Sequence, residues 1–265
     1  MNFLQLNGKK IVIFGVANRK SVAFHIAKVL AEAGAELIFS VQKPEAGAVV
    51  AKFFPDSAVY PCDFSDDDAM QQTAEVIAVN HGVIYGLVHS VAFANYSEGI
   101  KAFHDTLRRD FLEAMDISCY SFIRLAGLLK PHLDPDGAMI AVSISTTKMA
   151  AESYGYMAPI KAALDSSVCF LAKSLSADTR VRVNAVGAAL LKTSASAGIP
   201  GYIKPYLYAE KATLRKAALK TEEVANVAAF LLSPRSSGIN AQTLVIDAGM
   251  STNFFDQEIL DKVIE

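Results

Sequence analysis

The sequence predicts a doubly wound α/β sandwich with a parallel sheet covered by helices on both faces. Short, nearly all-apolar segments alternate with segments of helical period along the whole chain. Apolar residues make up 52% of 265 residues, enough for one large core. The apolar segments lack the polar alternation of a half-exposed strand, so both faces of each strand are buried, and right-handed crossovers lay a helix over each face. No Pro/Gly/Ser-rich linker, composition break or internal repeat divides the chain, so residues 1–265 read as a single domain.

Lys10 to Phe14 is the first strand, ending at a turn at Gly15, and Ser21 to Ala33 carries helix-spaced apolar residues closed by Gly34. Glu36 to Val41 is the second strand, Ala58 to Tyr60 a short third, and Asp66 to Asn80 a helix with a polar cap. Ile84 to Ser90 is the fourth strand, followed by a long helical pattern from His104 to Lys130 that Pro131 stops. Gly137 to Ser143, Val181 to Val186 and Gln242 to Ile246 are the remaining strands, separated by helices at Ile160 to Leu175 and Glu222 to Leu232. The result is a Rossmann-like order of seven parallel strands. The stretch 194–219 stands apart as an insertion too long for an ordinary loop, and such insertions at strand carboxyl ends usually serve a site.

Lys plus Arg is 25 and Asp plus Glu is 27, so a net charge of −2 provides no global field for a nucleic acid backbone. No apolar run approaches the ~18–20 residues of a membrane helix. The first ten residues lack the charged, apolar and small-residue order of a secretory signal, which points to a cytoplasmic address. Cys62, Cys119 and Cys169 show no CxxC or Cys/His ligand spacing and read as reduced core thiols, with no metal site.

Gly15 to Ala23 joins the first strand to the first helix, where open α/β sheets place a dinucleotide pyrophosphate. The turn is not GxGxxG. Gly15 keeps one fingerprint glycine, and Ser21 is either a small residue beside phosphate or simply a helix N-cap. After the second strand, Gln42-Lys43 stands where a ribose-binding acid is usual. Gln42 suits ribose or adenine, and Lys43 is either a 2′-phosphate contact or a solvated charge, leaving NADH and NADPH both open.

Several further segments are distinctive: Cys62-Asp63-Phe64, His89 to Ala94, Asp116 to Phe122, Tyr154 with Lys161, Val181 to Ala185, and Asp247-Ala248-Gly249. With the Gly15 turn and Val41-Gln42, these resemble the short-chain dehydrogenase/reductase superfamily. Within it, they resemble the NADH-dependent enoyl-acyl-carrier-protein reductases of fatty acid synthesis. The resemblance implies that Gly15, Ser21 and Val22 contact the pyrophosphate, Gln42 the adenosine, Asp63 and Phe64 the adenine, and Val91 the nicotinamide ribose region. Leu191 and Thr193 would lie near the carboxamide and phosphates, and Lys161 would hold the ribose hydroxyls. Tyr154 would face the substrate, with Ala94 nearby, and aim its phenol at the thioester oxygen where charge develops. Pro159 fits only a first helical turn, so Tyr154 belongs to the segment leading into the helix, and Tyr156 points elsewhere.

A carbonyl reductase of the superfamily would carry its tyrosine at Met157 and its serine at Ile144, although Ser143 and Ser145 flank that position. The subgroup's second tyrosine also falls on Ile144, leaving Tyr206 or Tyr208 as candidates to replace it. Ala92 stands for a family glycine and Ala189-Leu190 for a Gly-Pro. A nucleotide-binding paralogue with weak catalysis, or a carbonyl or alcohol oxidoreductase, are the alternative functions.

From Lys192 to Lys220 there are six basic residues (Lys192, Lys204, Lys211, Arg215, Lys216, Lys220) and one acidic, Glu210, a local charge of +5. Ile199, Tyr202, Ile203, Tyr206, Leu207 and Tyr208 add an apolar and aromatic lining. The segment reads either as an ordinary surface helix or as a lid over an acyl chain whose rim, including Lys204 and Arg215, meets an acidic carrier protein. The helices at 104–130 and after Ile160 carry more apolar surface than one face needs, and the resemblance implies a homotetramer.

Overall fold

A computed structural model describes residues 3–264, apart from the side chains of Ser153 and Ile264. Its centre is a seven-stranded parallel sheet in the order β3-β2-β1-β4-β5-β6-β7. The strands are β1 Lys10–Phe14, β2 Glu36–Val41, β3 Ala58–Pro61, β4 Ile84–His89, β5 Leu133–Ile144, β6 Arg182–Ala188 and β7 Thr243–Ile246. The order reverses between β1 and β4, the switch point where open α/β sheets bind ligands at their carboxyl ends. There Phe14 pairs with Ser40 on one side and His89 on the other.

Apolar residues at alternate positions sort the core into two layers. Ile11, Ile13, Ile140 and Val186 face α1 (Val22–Glu32) and α9 (Thr221–Leu232). Val12, Phe14, Met139 and Ala141 face α3 (Asp67–His81), α5 (Ser121–Leu129) and α6 (Met157–Leu175). Asp66 caps α3 by accepting from the Asp68 and Ala69 N–H groups. Helix α2 (Pro44–Phe53) has no counterpart in the sequence reading; its signal is Pro44 in the first turn.

The helix expected from His104 to Lys130 is interrupted. A 3₁₀ turn at Phe103–Asp105 precedes α4 (Arg108–Met115), a π-helical turn occupies Asp116–Tyr120, and α5 then runs to Leu129. The wider turn directs two serine hydroxyls at the β4 end: Ser118 bonds Phe93, and Ser121 bonds His89. The insertion is helical, with α7 (Ser194–Ala197) and α8 (Ile203–Ala212), and α10 (Gln257–Ile264) closes the described chain. Cys62 and Cys119 are buried thiols, but Cys169 is exposed on α6, so it is not a core residue. Among the described residues no helix is long and apolar enough to cross a membrane.

Candidate functional site

At the carboxyl edge, Gly15 leaves β1 with φ +97°, and a Cβ there would lie 2.2 Å from the Ser90 carbonyl oxygen. Only glycine allows the β1 turn to pass so close to the β4 end. Ser21 occupies the N-cap of α1 in extended backbone, but its hydroxyl donates to the Asn18 carbonyl at 2.7 Å and makes no capping bond. The first turn of α1, beginning at Val22, contains no acidic side chain. The positive end of this helix therefore carries no acidic side chain of its own to compete with an anion, although the Glu222 carboxylate of α9 lies against His25.

Gln42 and Asp63 lie exposed at the ends of β2 and β3. Asp63 accepts from the Ser65 N–H at 3.0 Å and the Ser65 hydroxyl at 2.8 Å. These bonds, with Gln42 adding to them, hold its carboxyl below the usual range. Phe64 has a buried ring. Its side chain is 3% exposed and meets Phe14 edge to face at 6.0 Å, so the ring belongs to the core, and only main chain at this position can face an adenine.

The segment after β4 is held by buried polar groups. His89 shares a 2.8 Å hydrogen bond with the Ser121 hydroxyl, and burial, reinforced by Lys161, brings its pKa down to about 3, so the imidazole is neutral. Val91 is buried and Ala94 packs half-buried on the same core layer. The Phe93 N–H donates to the Ser118 hydroxyl at 2.9 Å.

Lys161 lies on α6 and is only 5% exposed. Its Nζ donates to the Val142 carbonyl at 2.8 Å, leaving further N–H donors for ribose hydroxyls. This ammonium, the Gly15 cradle and the acid-free start of α1 fit a nicotinamide dinucleotide. Burial brings the Lys161 pKa down to about 8, against opposing pulls from Asp165 and Cys119. Because the folded value lies below the ordinary 10.5, the buried ammonium costs stability near neutral pH, and that cost is relieved between about pH 8 and 10.5. Activity that needs the cation runs the other way: kcat/KM is expected to fall as pH rises through about 8. A pH–rate profile flat to pH 9.5 would remove the ammonium from the reaction.

Tyr154 ends a 3₁₀ turn, Glu152–Tyr154, and Gly155 at φ +60° separates it from α6, as Pro159 implied. Burial, with the nearby Tyr96 and Tyr202, raises its phenol above the ordinary tyrosine range, so it keeps its proton. Tyr96 and Tyr202 are thus the phenols around Tyr154, and neither was singled out as its neighbour from sequence. Tyr206 is buried beneath the Lys192 ammonium, 4.6 Å from its ring centroid, and Tyr208 is exposed, so neither proposed substitute for the missing tyrosine is placed for that role. Met157, where a carbonyl reductase would need its phenol, is buried. The hydroxyls of Ser143 and Ser145 are buried, and that of Ser143 lies beside the Asp165 carboxyl.

After β6, Leu191 is buried and its carbonyl accepts from the Tyr202 hydroxyl at 3.0 Å. Thr193 caps α7, accepting from the Ser196 N–H. The insertion docks on the segment after β7, with Leu214 N–H donating to the Ala248 carbonyl at 3.0 Å and Asn253 to the Ala212 carbonyl at 2.8 Å. Arg215 pairs with Glu223 and donates to the Ala217 and Ala218 carbonyls, and Lys216 pairs with Asp256. Their charges are therefore largely met within the chain.

A family model described as enoyl-(acyl carrier protein) reductase matches residues 15–251. The Enterococcus faecalis enoyl-[acyl-carrier-protein] reductase [NADH] FabI is 34% identical over 92% of this chain and 98% of its own length. An NADPH-named counterpart from Staphylococcus aureus is 34% identical over 93% of this chain and 98% of its own. The crystal structure of the NADH reductase from Aquifex aeolicus superposes with a TM-score of 0.90 at 32% identity, covering 95% of this chain and 99% of that one. With the parallel sheet, the Gly15 turn and the Tyr154–Lys161 pair, these likenesses establish that the chain belongs to the enoyl-[acyl-carrier-protein] reductase family.

Proposed function

We propose that this chain reduces the carbon–carbon double bond of a trans-2-enoyl thioester carried on acyl carrier protein, using NADH, with NADPH also admissible. The observation that carries this reading is the buried Lys161 ammonium seven residues after a protonated, half-buried Tyr154, with methionine where carbonyl chemistry would need a hydroxyl. Reduced nicotinamide, held by the Gly15 turn and Lys161, would supply a hydride to the β-carbon. As the double bond accepts it, negative charge moves onto the thioester oxygen, and the Tyr154 hydroxyl donates a hydrogen bond there. Lys161 holds the ribose hydroxyls, and its charge favours the developing enolate, which is then protonated at the α-carbon by a proton from solvent.

Gly15, Ser21 and Val22 serve the pyrophosphate, Gln42 and Asp63 the adenosine end, Val91 and Leu191 the nicotinamide side, and Thr193 the phosphates through the start of α7. Gln42 supplies no carboxylate to repel a 2′-phosphate, and Lys43 follows it, which is why both dinucleotides are admitted. Ala94 borders the substrate. The 194–219 insertion is a lid whose aromatic side covers the acyl chain and whose rim, at Lys204, meets the acidic carrier. Leu112, Ile123 and Phe170, exposed on α4, α5 and α6, support a homotetramer, and the absence of a spanning helix among the described residues agrees with a cytoplasmic site.

The test follows nicotinamide absorbance with a trans-2-enoyl thioester, and in parallel with ketones. Oxidation with the enoyl substrate is expected. Turnover of ketones alone, or tight dinucleotide binding with no turnover, would overturn the reading. Lys204→Glu is expected to raise KM severalfold for the carrier-bound substrate and hardly change it for a coenzyme A thioester; equal effects would remove the carrier from the proposal.

A further inference from the structure

Tyr154 is not held by the helix that holds Lys161. It sits on a separate 3₁₀ turn, and Gly155 at φ +60° redirects the chain between that turn and α6. Within the turn, the Tyr154 N–H reaches the Ala151 carbonyl at only 3.4 Å. The distance between the phenol and the ammonium must therefore be set from outside α6.

The surrounding contacts identify what sets it. Tyr156 is buried, and its hydroxyl both accepts from the Asn95 N–H at 3.0 Å and donates to the Asn95 carbonyl at 3.1 Å. Tyr96 stacks on Tyr156 with centroids 6.2 Å apart and planes at 28°. Its hydroxyl lies 3.5 Å from the Tyr154 carbonyl oxygen, and a Cβ on Gly155 would lie 3.6 Å from its ring. The segment making these contacts is itself anchored. Asn95 Nδ2 donates to the buried Asp110 at 3.2 Å, and Phe93 is tied to Ser118 of the π-helical turn.

We propose that Tyr156, with Tyr96 stacked on it, is a positioning residue for Tyr154: the paired rings clamp the Tyr154–Gly155–Tyr156 turn to the segment after β4 and so fix where the reacting phenol points. Resting on the reading of Tyr154 as hydrogen-bond donor to the thioester, the proposal extends the reacting pair to a second pair of tyrosines that never touches the reacting atoms. Tyr156→Phe keeps the ring and removes both bonds to Asn95, and Tyr96→Leu removes the stack and the contact with the Tyr154 carbonyl. Misplacing a reacting group costs rate steeply even when it still binds.

The experiment measures kcat, KM for an enoyl thioester and dinucleotide Kd for both variants in the full chain, in the native background and in Tyr154→Phe. Tyr156→Phe is expected to lower kcat about tenfold, with KM and Kd within about twofold, and to cause no further loss when Tyr154 is already Phe. Tyr96→Leu is expected to behave alike, and it serves alone if Tyr156→Phe fails to fold. An unchanged kcat, or equal loss in both backgrounds, would overturn the proposal, since a purely structural role would act regardless of Tyr154. Carbon-13 tyrosine NMR gives a readout without turnover: the resonance lost in Tyr154→Phe should shift in Tyr156→Phe, and an unmoved resonance overturns the proposal. If the native chain reduces no enoyl thioester while that resonance shifts, the functional reading fails and the positioning role stands.

Discussion

Replacing Tyr154 with Phe is expected to lower kcat for an enoyl thioester by about 10²–10³-fold while leaving dinucleotide affinity within about twofold. The ring would remain in its half-buried position against the core layer shared with Ile160 and Phe122, so packing is conserved and only the hydroxyl is lost. That hydroxyl keeps its proton because burial and the phenols of Tyr96 and Tyr202 disfavour the phenolate. In the proposed reaction it is a neutral donor to a developing anion, an interaction made chiefly in the transition state, so its loss is expected in kcat rather than in ground-state binding. Steady-state kinetics with a fluorescence titration of the dinucleotide separates the two. A kcat within threefold of the native value would remove Tyr154 from the reaction.

Substituting Gly15 with Ala is the second large effect, and it falls on the fold as well as on binding. The new methyl would meet the Ser90 carbonyl oxygen at 2.2 Å, at a φ of +97° that L side chains rarely adopt. Left-handed strain costs about 1–2 kcal/mol and forced overpacking about 1–3 kcal/mol. Relief requires separating the β1 turn from the β4 end, and Val91 lies in the segment that follows. Tm is expected to fall by about 5–15 °C, with dinucleotide affinity lowered at least about tenfold. Calorimetry and titration check both, and an unchanged Tm would show that the turn relaxes without cost.

Much of this architecture is legible in local pattern. Buried strands such as Ile11 to Phe14 and Ala138 to Ala141 announce themselves as apolar runs, and helices such as α3 by their caps and period, because both signals depend on neighbours a few residues away. Pro159 likewise places Tyr154 ahead of α6. The π-helical turn left no such mark: one extra residue per turn is stabilised by where Ser118 and Ser121 find partners, at Phe93 and His89, not by any local preference. The burial of the Phe64 ring went unmarked for a related reason. An aromatic residue after a strand suits a nucleobase or a core equally well, and only the position of Phe14 decides between them. Arg215 looked like a free rim charge until the fold set it against Glu223, eight residues away.

By itself, the order of residues determined the parallel sheet and the turn at Gly15, and it singled out Tyr154 and Lys161 as the phenol and ammonium of the proposed reaction. The tertiary structure alone decided what surrounds them: Tyr96 and Tyr202 beside Tyr154, and Tyr156 tied to Asn95. The physical reason is separation along the chain. Tyr156 finds Asn95 across 61 residues and Tyr96 reaches Tyr154 across 58, and such contacts follow from how β4, β5 and α6 pack rather than from any period or spacing.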